Sequence, residues 1–357
     1  MYQDYKLDIG CNILSKKTFY DLKTFYDPKT FYHLPSLQLS LRLWPTMFPG
    51  GIVEKLPVER LPVDARMEKV ESVREERKED PETLYLGVPL DTQPAVHWHR
   101  NGRENILVFT QADVDNDAEQ KAPPSPAILS MVCCLRSDGF WLMSDGGFSM
   151  TSIFKNITDV ELSAIGVVPD ATTFPETRTF ADDWPTVQEN IAKLQALPAL
   201  QGVGYKGMNI PAAKSVIGYR FKHRLFEKLD PAIEADEDDR QVLKQWPRKS
   251  ELVENALDAL SADDPLKFKI CPLPAYDYHC ALIDPFWYRK YLENAVVELR
   301  FSMSHWPISN SSNTFRANIV DILVLCPPPP VIVSPRKRKV QSYHPSSPTK
   351  KRAVSSK

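Results

Sequence analysis

Two stretches in the last third of the sequence alternate apolar and polar residues with the period of a β-strand. In AVVELRFSM (295–303) every second residue is apolar, and these residues are Val297, Leu299, Phe301 and Met303. The second stretch, TFRANIVDILVLC (314–326), becomes apolar on both faces toward its end, as a strand in the middle of a sheet does. Four prolines at 327–330 follow it, and proline cannot continue a strand ladder. The pattern predicts two long strands joined by the polar loop 307–313.

A second strand-like region lies at 127–154. Its apolar runs are AILSMVCCLR (127–136), FWLM (140–143) and FSMTSIF (148–154). Asp-Gly steps separate these runs, and Asp-Gly between apolar runs is a strong signal for a β-hairpin. We therefore predict a three-strand meander here.

Helical periodicity appears between the two strand regions. Residues 183–197 follow a 3.6-residue period, with Asp182 or Asp183 as the N-cap and Pro185 in the first turn. The apolar side of this helix is formed by Val187, Ile191 and Leu194. Further short helices are predicted within 218–260. Strands and helices in this order indicate an α+β fold with a strand-rich body.

The ends of the chain differ from this body in composition. Residues 1–82 contain a KTFYDx repeat at 17–34 and a charge-dense stretch at 54–82, which we expect to be a solvated helix or a linker. We expect the folded part to begin near Glu82, with a meander and helices in 83–265 and a strand region in 266–333. These two regions form either separate domains or one unit. Residues 1–82 and 334–357 are expected to be disordered segments.

Charge separates the last segment from the rest. The whole chain has a net charge of −2, but residues 334–357 hold eight basic residues and no acidic one, which leaves the remainder at −10. Short basic clusters of this kind are read by nuclear import receptors. The predicted import signal consists of Arg336, Lys337, Arg338, Lys339, Lys350, Lys351 and Arg352. Ser334 and Ser347 each precede a proline and are predicted phosphorylation sites, where added negative charge would weaken receptor binding.

Candidate chemistry elsewhere is sparse. The six cysteines form no C-x-x-C pair, so neither a zinc site nor another metal site is predicted. A G-x-G-x-x-G match at 202–207 lacks the strand before it and the helix after it that a cofactor site requires, so no cofactor is expected. Asp277, His279 and Cys280 lie along one predicted strand and do not converge, so no catalytic residue is assigned and the protein is not expected to be an enzyme. With no apolar run of 18 residues, no membrane span is expected.

Three segments carry a resemblance to known proteins. They are PLPAYDYHCALIDP (272–285), YLENAVVELRFSMSHWPI (291–308) and NTFRANIVDILVLCPP (313–328). They resemble a family of uncharacterised fungal proteins, a similarity that extends back to about residue 83 and implies no activity. The stretch 272–326 also resembles the OB-fold-like single-stranded DNA-binding proteins of phages. This second resemblance implies an OB-like antiparallel C-terminal part.

The resemblance also implies a binding face. OB folds bind single strands on a sheet face through aromatic and basic residues, using the loop between the last two strands. The side chains expected to form this face are Lys290, Arg300, His305, Trp306, Phe315 and Arg316. Summed over 266–333 the net charge is only +1, which is low for such a face.

The sequence therefore predicts a non-catalytic nuclear protein that binds single-stranded DNA or RNA. The alternative is a nuclear scaffold or chromatin-associated protein without direct nucleic-acid contact, in which the aromatic residues near 305–315 would be buried. A hydrolase whose catalytic residues are distant in sequence is a third alternative, and it would require a deep pocket.

Overall fold

The computed structural model describes residues 63–110, 124–212, 215–230, 236–308 and 311–330. These residues form a strand-rich mixed α/β fold with few helices, as the sequence predicts in outline. The N-terminal repeat and the predicted import and phosphorylation sites at 334–352 lie outside the described residues.

The strands of the first half are β1 Thr83–Tyr85, β2 Val96–Asn101, β3 Glu104–Phe109, β4 Ile128–Leu135, β5 Glu161–Val167, β6 Tyr205–Lys206 and β7 Asn209–Ala212. Those of the second half are β8 Ser215–Arg224, β9 Phe226–Lys228, β10 Phe268–Ile270, β11 Ala275–Tyr276, β12 Val296–Ile308 and β13 Ser312–Cys326. The helices are α1 Val63–Glu79, α2 Arg178–Ala196, α3 Glu237–Gln245, α4 Glu251–Ser261 and α5 Tyr288–Leu292.

Five strands close into a ring. In hydrogen-bonded order they are β4, β5, β8, β13 and β12, and β12 pairs with β4 to complete the circuit. The neighbours are antiparallel except for β8 and β13, which run parallel. Because β4, β5 and β8 precede residue 265 while β12 and β13 follow it, strands from both sides of the predicted boundary share one sheet.

The inside of the ring is the main hydrophobic core. It is filled by the apolar residues that alternate along the strands, and Phe221 of β8 meets Phe301 of β12 with ring centroids 5.0 Å apart. Gly166 of β5 faces the same space, where a Cβ atom would lie 2.7 Å from the sulfur of Cys133 and 2.9 Å from the ring of Phe221. Glycine fits this position because a Cβ atom there would collide with the side chains of Cys133 and Phe221.

Helix α1 lies against the outside of the ring, at one end of β4, β12 and β13. Val70 and Val73 pack there in a second, smaller cluster with residues of these strands, including Val132, Val296 and Leu325. Three arginines of α1 add ion pairs to buried or half-buried carboxylates, namely Arg66 with Glu176, Arg74 with Asp183 and Arg77 with Glu298. The folded part therefore begins before the boundary predicted at Glu82, and the charge-dense stretch includes a docked helix.

The predicted pair of long strands is confirmed. β12 and β13 pair along their whole lengths, and β13 ends at Cys326, immediately before the prolines. The four alternating apolar residues of β12 are all fully buried inside the ring.

The predicted meander is wrong after its first strand. Only β4 forms, while 140–143 and 148–154 are turns and irregular backbone. The glycines of the Asp-Gly steps adopt positive φ, 72° at Gly139, 53° at Gly146 and 75° at Gly147, and they fold the chain into compact turns. Phe140 and Leu142 reach the core from these turns without joining a ladder.

The helix predictions are confirmed in part. Helix α2 covers the predicted segment up to Ala196 and buries its three apolar residues, but it begins at Arg178, so Asp182, Asp183 and Pro185 lie inside it. Helix α3 lies within the predicted 218–260 region, and α4 ends one residue beyond it, at Ser261. The first part of that region is instead the strand β8, which the ring requires. Within the described residues, no helix is both long and apolar enough to cross a bilayer.

Candidate nucleic-acid interface

Part of the ring wall is not covered by α1, and the outward side chains there are mostly half-buried or exposed. We call this surface the outer sheet face: the side chains of β5, β8, β13 and the second half of β12 that point away from the core. The pairings Ser163 to Lys222, Lys222 to Asn318, and Asn318 to Ser302 place these four residues in one row across the strands. Because alternate residues of a strand share a face, the neighbours two positions away extend this row into a surface.

Strand β8 supplies most of the positive charge of this face. Arg220, Lys222 and Arg224 alternate with the inward-facing Phe221 and His223, so all three cations lie on the outer side. Arg220 and Arg224 are exposed, and no carboxylate of the described residues lies within ion-pair distance of either. They are therefore available to an anionic ligand.

Glu161 partly neutralises the centre of the face. Its carboxylate accepts a hydrogen bond from Lys222 Nζ at 2.8 Å and pairs with the guanidinium of Arg316. Partial burial opposes ionisation, but the bond from Lys222 and the charge of Arg316 hold the pKa of Glu161 below its ordinary value. The carboxylate therefore remains ionised and occupies two cations.

Arg300 lies near the end of the face that borders α1. Its Nη1 is 3.3 Å from an oxygen of Asp321, directly opposite on β13. Burial raises the pKa of Asp321 to about 6, although the charge of Arg300 opposes the shift. Arg300 is thus a half-buried, paired cation and contributes less to the surface charge than the arginines of β8.

Within the described strands, six cations and three carboxylates lie on or at the rim of the face. The cations are Lys206, Arg220, Lys222, Arg224, Arg300 and Arg316, and the carboxylates are Glu104, Glu161 and Asp321. The excess of positive charge is therefore local, in a body whose sum is acidic.

Trp306 is an aromatic residue of the outer face. It lies opposite Thr314 at the hairpin end of β12 and is partly exposed, next to the exposed Pro307 and Ile308. Its position in the strand puts it on the same side as Arg316. A planar side chain beside cations is the arrangement on which single-stranded bases stack.

His305 and Phe315 are on the other side of the same hairpin, which corrects the expectation that they join the binding face. Both are fully buried, and their rings stack with centroids 4.5 Å apart. The ring of Trp98 packs edge-on against both at 6.0 Å. The period of the strand explains this placement, because residues next to Trp306 and Arg316 must face inward.

Hydrogen bonds fix the buried His305 as a neutral imidazole. Asn105 donates from Nδ2 to Nδ1 of His305, and His305 Nε2 donates to Oδ1 of Asn313. Asn313 also donates to the backbone oxygens of Leu200 and Val203, which ties a neighbouring loop to the hairpin. This network supports the backbone beneath Trp306.

Lys290 does not join the face either. It is exposed on the short helix α5, with its Nζ 4.8 Å from the ring centre of Trp287. The neighbouring Arg289 reaches Met143 in the loop between β4 and β5, with 3.9 Å from Nη1 to the sulfur. Lys290 therefore lies near that loop and not near the β12–β13 hairpin.

The remaining sequence candidates have structural roles. The glycine-rich segment 202–207 is a turn followed by β6, with positive φ at Gly202 and Gly207. Asp277 is not in a strand: its Oδ1 accepts hydrogen bonds from the backbone N–H groups of His279 and Ala281 and so closes a turn. Within the described ranges, no group of three or more His, Cys, Asp or Glu residues is arranged to hold a metal ion.

Sequence reasoning missed the cations of β8. The segment GYRFKHR (218–224) alternates large buried residues with basic ones, which is a period-2 signal, but it lies in a region predicted to be helical. Testing this segment against both the helical period of 3.6 residues and the strand period of two residues would have identified the strand.

The buried state of His305 predicts a pH effect on stability. Burial lowers the pKa of His305 below its ordinary value of 6.5, although the bond to Asn313 opposes the shift. Below about pH 6.5 the unfolded chain binds a proton that the folded chain excludes, so folding free energy is lost as the pH falls. We expect His305→Gln, which keeps both hydrogen bonds, to show a smaller loss between about pH 7 and about pH 5 than the unaltered chain. Urea unfolding across this range measures the effect, and equal losses in both proteins would contradict it.

The chain was compared with protein-family models, curated proteins and solved structures. No protein-family model matches the chain, and no curated protein matches it. Among solved structures it is similar to the crystal structure of gp2.5, a single-stranded DNA binding protein encoded by bacteriophage T7. The similarity covers 58% of this chain and 96% of that chain, with 8% sequence identity and a TM-score of 0.29.

Proposed function

We propose that the protein binds single-stranded nucleic acid on the outer sheet face and performs no catalysis there. The observation that carries the proposal is the set of cations on β8 and β13 beside the partly exposed Trp306. Cations neutralise phosphates, and an aromatic ring stacks on any base, so together they bind a strand with little sequence preference.

The order of the ring strands supports an OB-type barrel as the scaffold. OB folds are five-stranded Greek-key barrels that bind oligonucleotides on the second and third strands, using the loops between strands one and two and between strands four and five. In chain order the ring consists of β4, β5, β8, β12 and β13, so the second and third strands are β5 and β8. These strands carry Glu161, Arg220, Lys222 and Arg224 of the outer sheet face.

The shape of the face favours single strands over duplexes. Stacking on Trp306 requires a base that is free of its partner, and a wall of strands without a protruding helix or ribbon has nothing to insert into a duplex groove. We infer that duplex DNA binds more weakly than an unpaired strand of equal length.

One observation favours the scaffold alternative. His305 and Phe315 are buried, as that alternative expects. The same hairpin nevertheless exposes part of Trp306, and the cations of β8 are a feature that the scaffold alternative does not explain. We therefore prefer nucleic acid as the ligand.

Two substitutions at the centre of the face are expected to change affinity in opposite directions. Lys222→Ala removes a cation of the face and leaves the negative charge of Glu161 less neutralised, so it should weaken binding of a labelled oligothymidylate by about 3- to 10-fold, with a salt slope smaller by about 0.7. Glu161→Gln keeps hydrogen bonds but removes the charge that occupies Lys222 and Arg316, so it should tighten binding by a similar factor. Fluorescence anisotropy of the full chain at two salt concentrations measures both.

The matched control is Lys193→Ala, which removes the same charge from the solvent side of α2. The isolated peptide 334–357 shows how much the basic segment binds by itself. If neither Lys222→Ala nor Glu161→Gln differs from the control, or if the full chain binds no better than the peptide, the outer sheet face is not the binding site.

We also propose that the protein acts in the nucleus, where an import receptor delivers it. The support is the run of four basic residues at 336–339 and the second cluster at 350–352, with no acidic residue nearby. A fluorescent fusion in which Lys337, Arg338 and Lys339 are replaced by alanine should lose nuclear accumulation, whereas unchanged accumulation would contradict the proposal. The double variant Ser334→Asp, Ser347→Asp should show weaker nuclear accumulation, because the added negative charge opposes receptor binding.

A further inference from the structure

Trp141 is a large exposed aromatic residue at the opposite end of the same surface from Trp306. It lies in the 136–160 loop between β4 and β5, and its side chain is 48% exposed. Its neighbours Phe140 and Leu142 are buried in the core, so the indole points outward. The backbone N–H of Trp141 donates to the oxygen of Ser163 at 2.7 Å, which holds the residue beside β5. The outer sheet face therefore continues across β5 to this ring.

A tight turn supports the indole from below. Gly147 has a φ of 75°, and a Cβ atom on it would lie 2.6 Å from Cε3 of Trp141. Glycine thus allows the ring to lie against the turn backbone. Asp145 stabilises the turn by accepting a hydrogen bond from Gly147 N at 3.1 Å, and Gly146 N donates to the oxygen of Met143 at 2.9 Å. The ring is therefore held on a built turn.

Arg289 reaches the turn beneath this ring through Met143. Met143 packs near the same glycine and contacts Arg289, whose neighbour Lys290 is exposed. The carboxylates of this region have partners: Asp138 pairs with Arg136, and Glu293 pairs with Arg289. Arg289 is thus partly neutralised, while Lys290 has only aromatic contacts among the described residues.

We propose that Trp141 is a second stacking site for the same single strand, so that the bound strand crosses the sheet from Trp306 past the cations of β8 to Trp141. This inference rests on the proposed function. Four strand spacings separate the two rings around the wall across β13, β8 and β5, a path of about 20 Å to which the offset along the strands adds. One base cannot cover this span, so the site takes several nucleotides, within the range of about 4–16 known for one OB fold.

The test is the dependence of affinity on oligonucleotide length. In the full chain, lengthening oligothymidylate from about 4 to about 12 nucleotides should add the second stacking contact and raise affinity. The gain is the ratio of the affinities for the long and the short oligonucleotide. Trp141→Ala should reduce this ratio by about tenfold, and Trp141→Phe, whose ring can still stack, should keep most of it. Fluorescence anisotropy with both oligonucleotides measures the gain in each protein.

Ile153→Ala is the control, because Ile153 belongs to the same loop and is 91% exposed, the highest value among the large apolar residues that the structure describes. If this variant loses the gain as Trp141→Ala does, or if phenylalanine fails to restore it, the contact is not aromatic stacking and the inference is wrong. If the unaltered chain binds both oligonucleotides and Trp141→Ala leaves the gain unchanged, the second site is refuted while the proposed function stands. If the unaltered chain binds neither, the proposed function itself fails.

Discussion

The pairing of β12 with strands on both of its sides is the interaction on which the rest of the structure depends. β12 pairs with β13 on one side and with β4 on the other, and the β4 contact turns a row of strands into a closed ring. Closure gives each strand an inner side, which is packed with apolar residues, and an outer side, which is exposed unless another element covers it. Helix α1 covers one end of that outer side, and the remainder is mostly half-buried, with Arg220 and Arg224 exposed. The candidate interface is the uncovered remainder.

This geometry explains how an acidic body presents a cationic surface. The described cations of the interface come from β8, β12 and β13, with Lys206 at the rim. Strand alternation places Arg220, Lys222 and Arg224 together on the outside, while the residues between them fill the core. Glu161 pairs with two of the cations at the centre of the face, so a single carboxylate sets the balance of positive and negative charge there. Net charge over the whole chain is therefore a poor guide to its ligand.

Local patterns in the sequence predicted the elements whose period is regular, and failed where the fold combines distant segments. The alternation in 295–303 identified β12 and its buried residues, and the 3.6-residue period identified α2. The Asp-Gly steps at 138–147 suggested hairpins, but their glycines instead build turns on the outside of β5, one of which supports Trp141.

The candidate site was predictable only in part, for a related reason. Alternation along each strand of the hairpin places Trp306 and Arg316 outside and their neighbours His305 and Phe315 inside, which the sequence already implied. The contribution of β8 depends on its parallel pairing with β13, about a hundred residues away in sequence. A charge sum over 266–333 therefore counted the wrong set of residues, since the face takes its strongest cations from another part of the chain.

Ultraviolet cross-linking of the full chain to oligothymidylate, followed by mass spectrometry of tryptic peptides, tests the central claim most directly. Cleavage after Arg300 and Arg316 yields the peptide 301–316, which carries Trp306 and the hairpin. The account predicts nucleotide adducts on this peptide, and their loss in Trp306→Ala. Adducts confined to 334–357, with none on 301–316, would show that the basic segment alone binds the strand and would contradict an interface on the sheet.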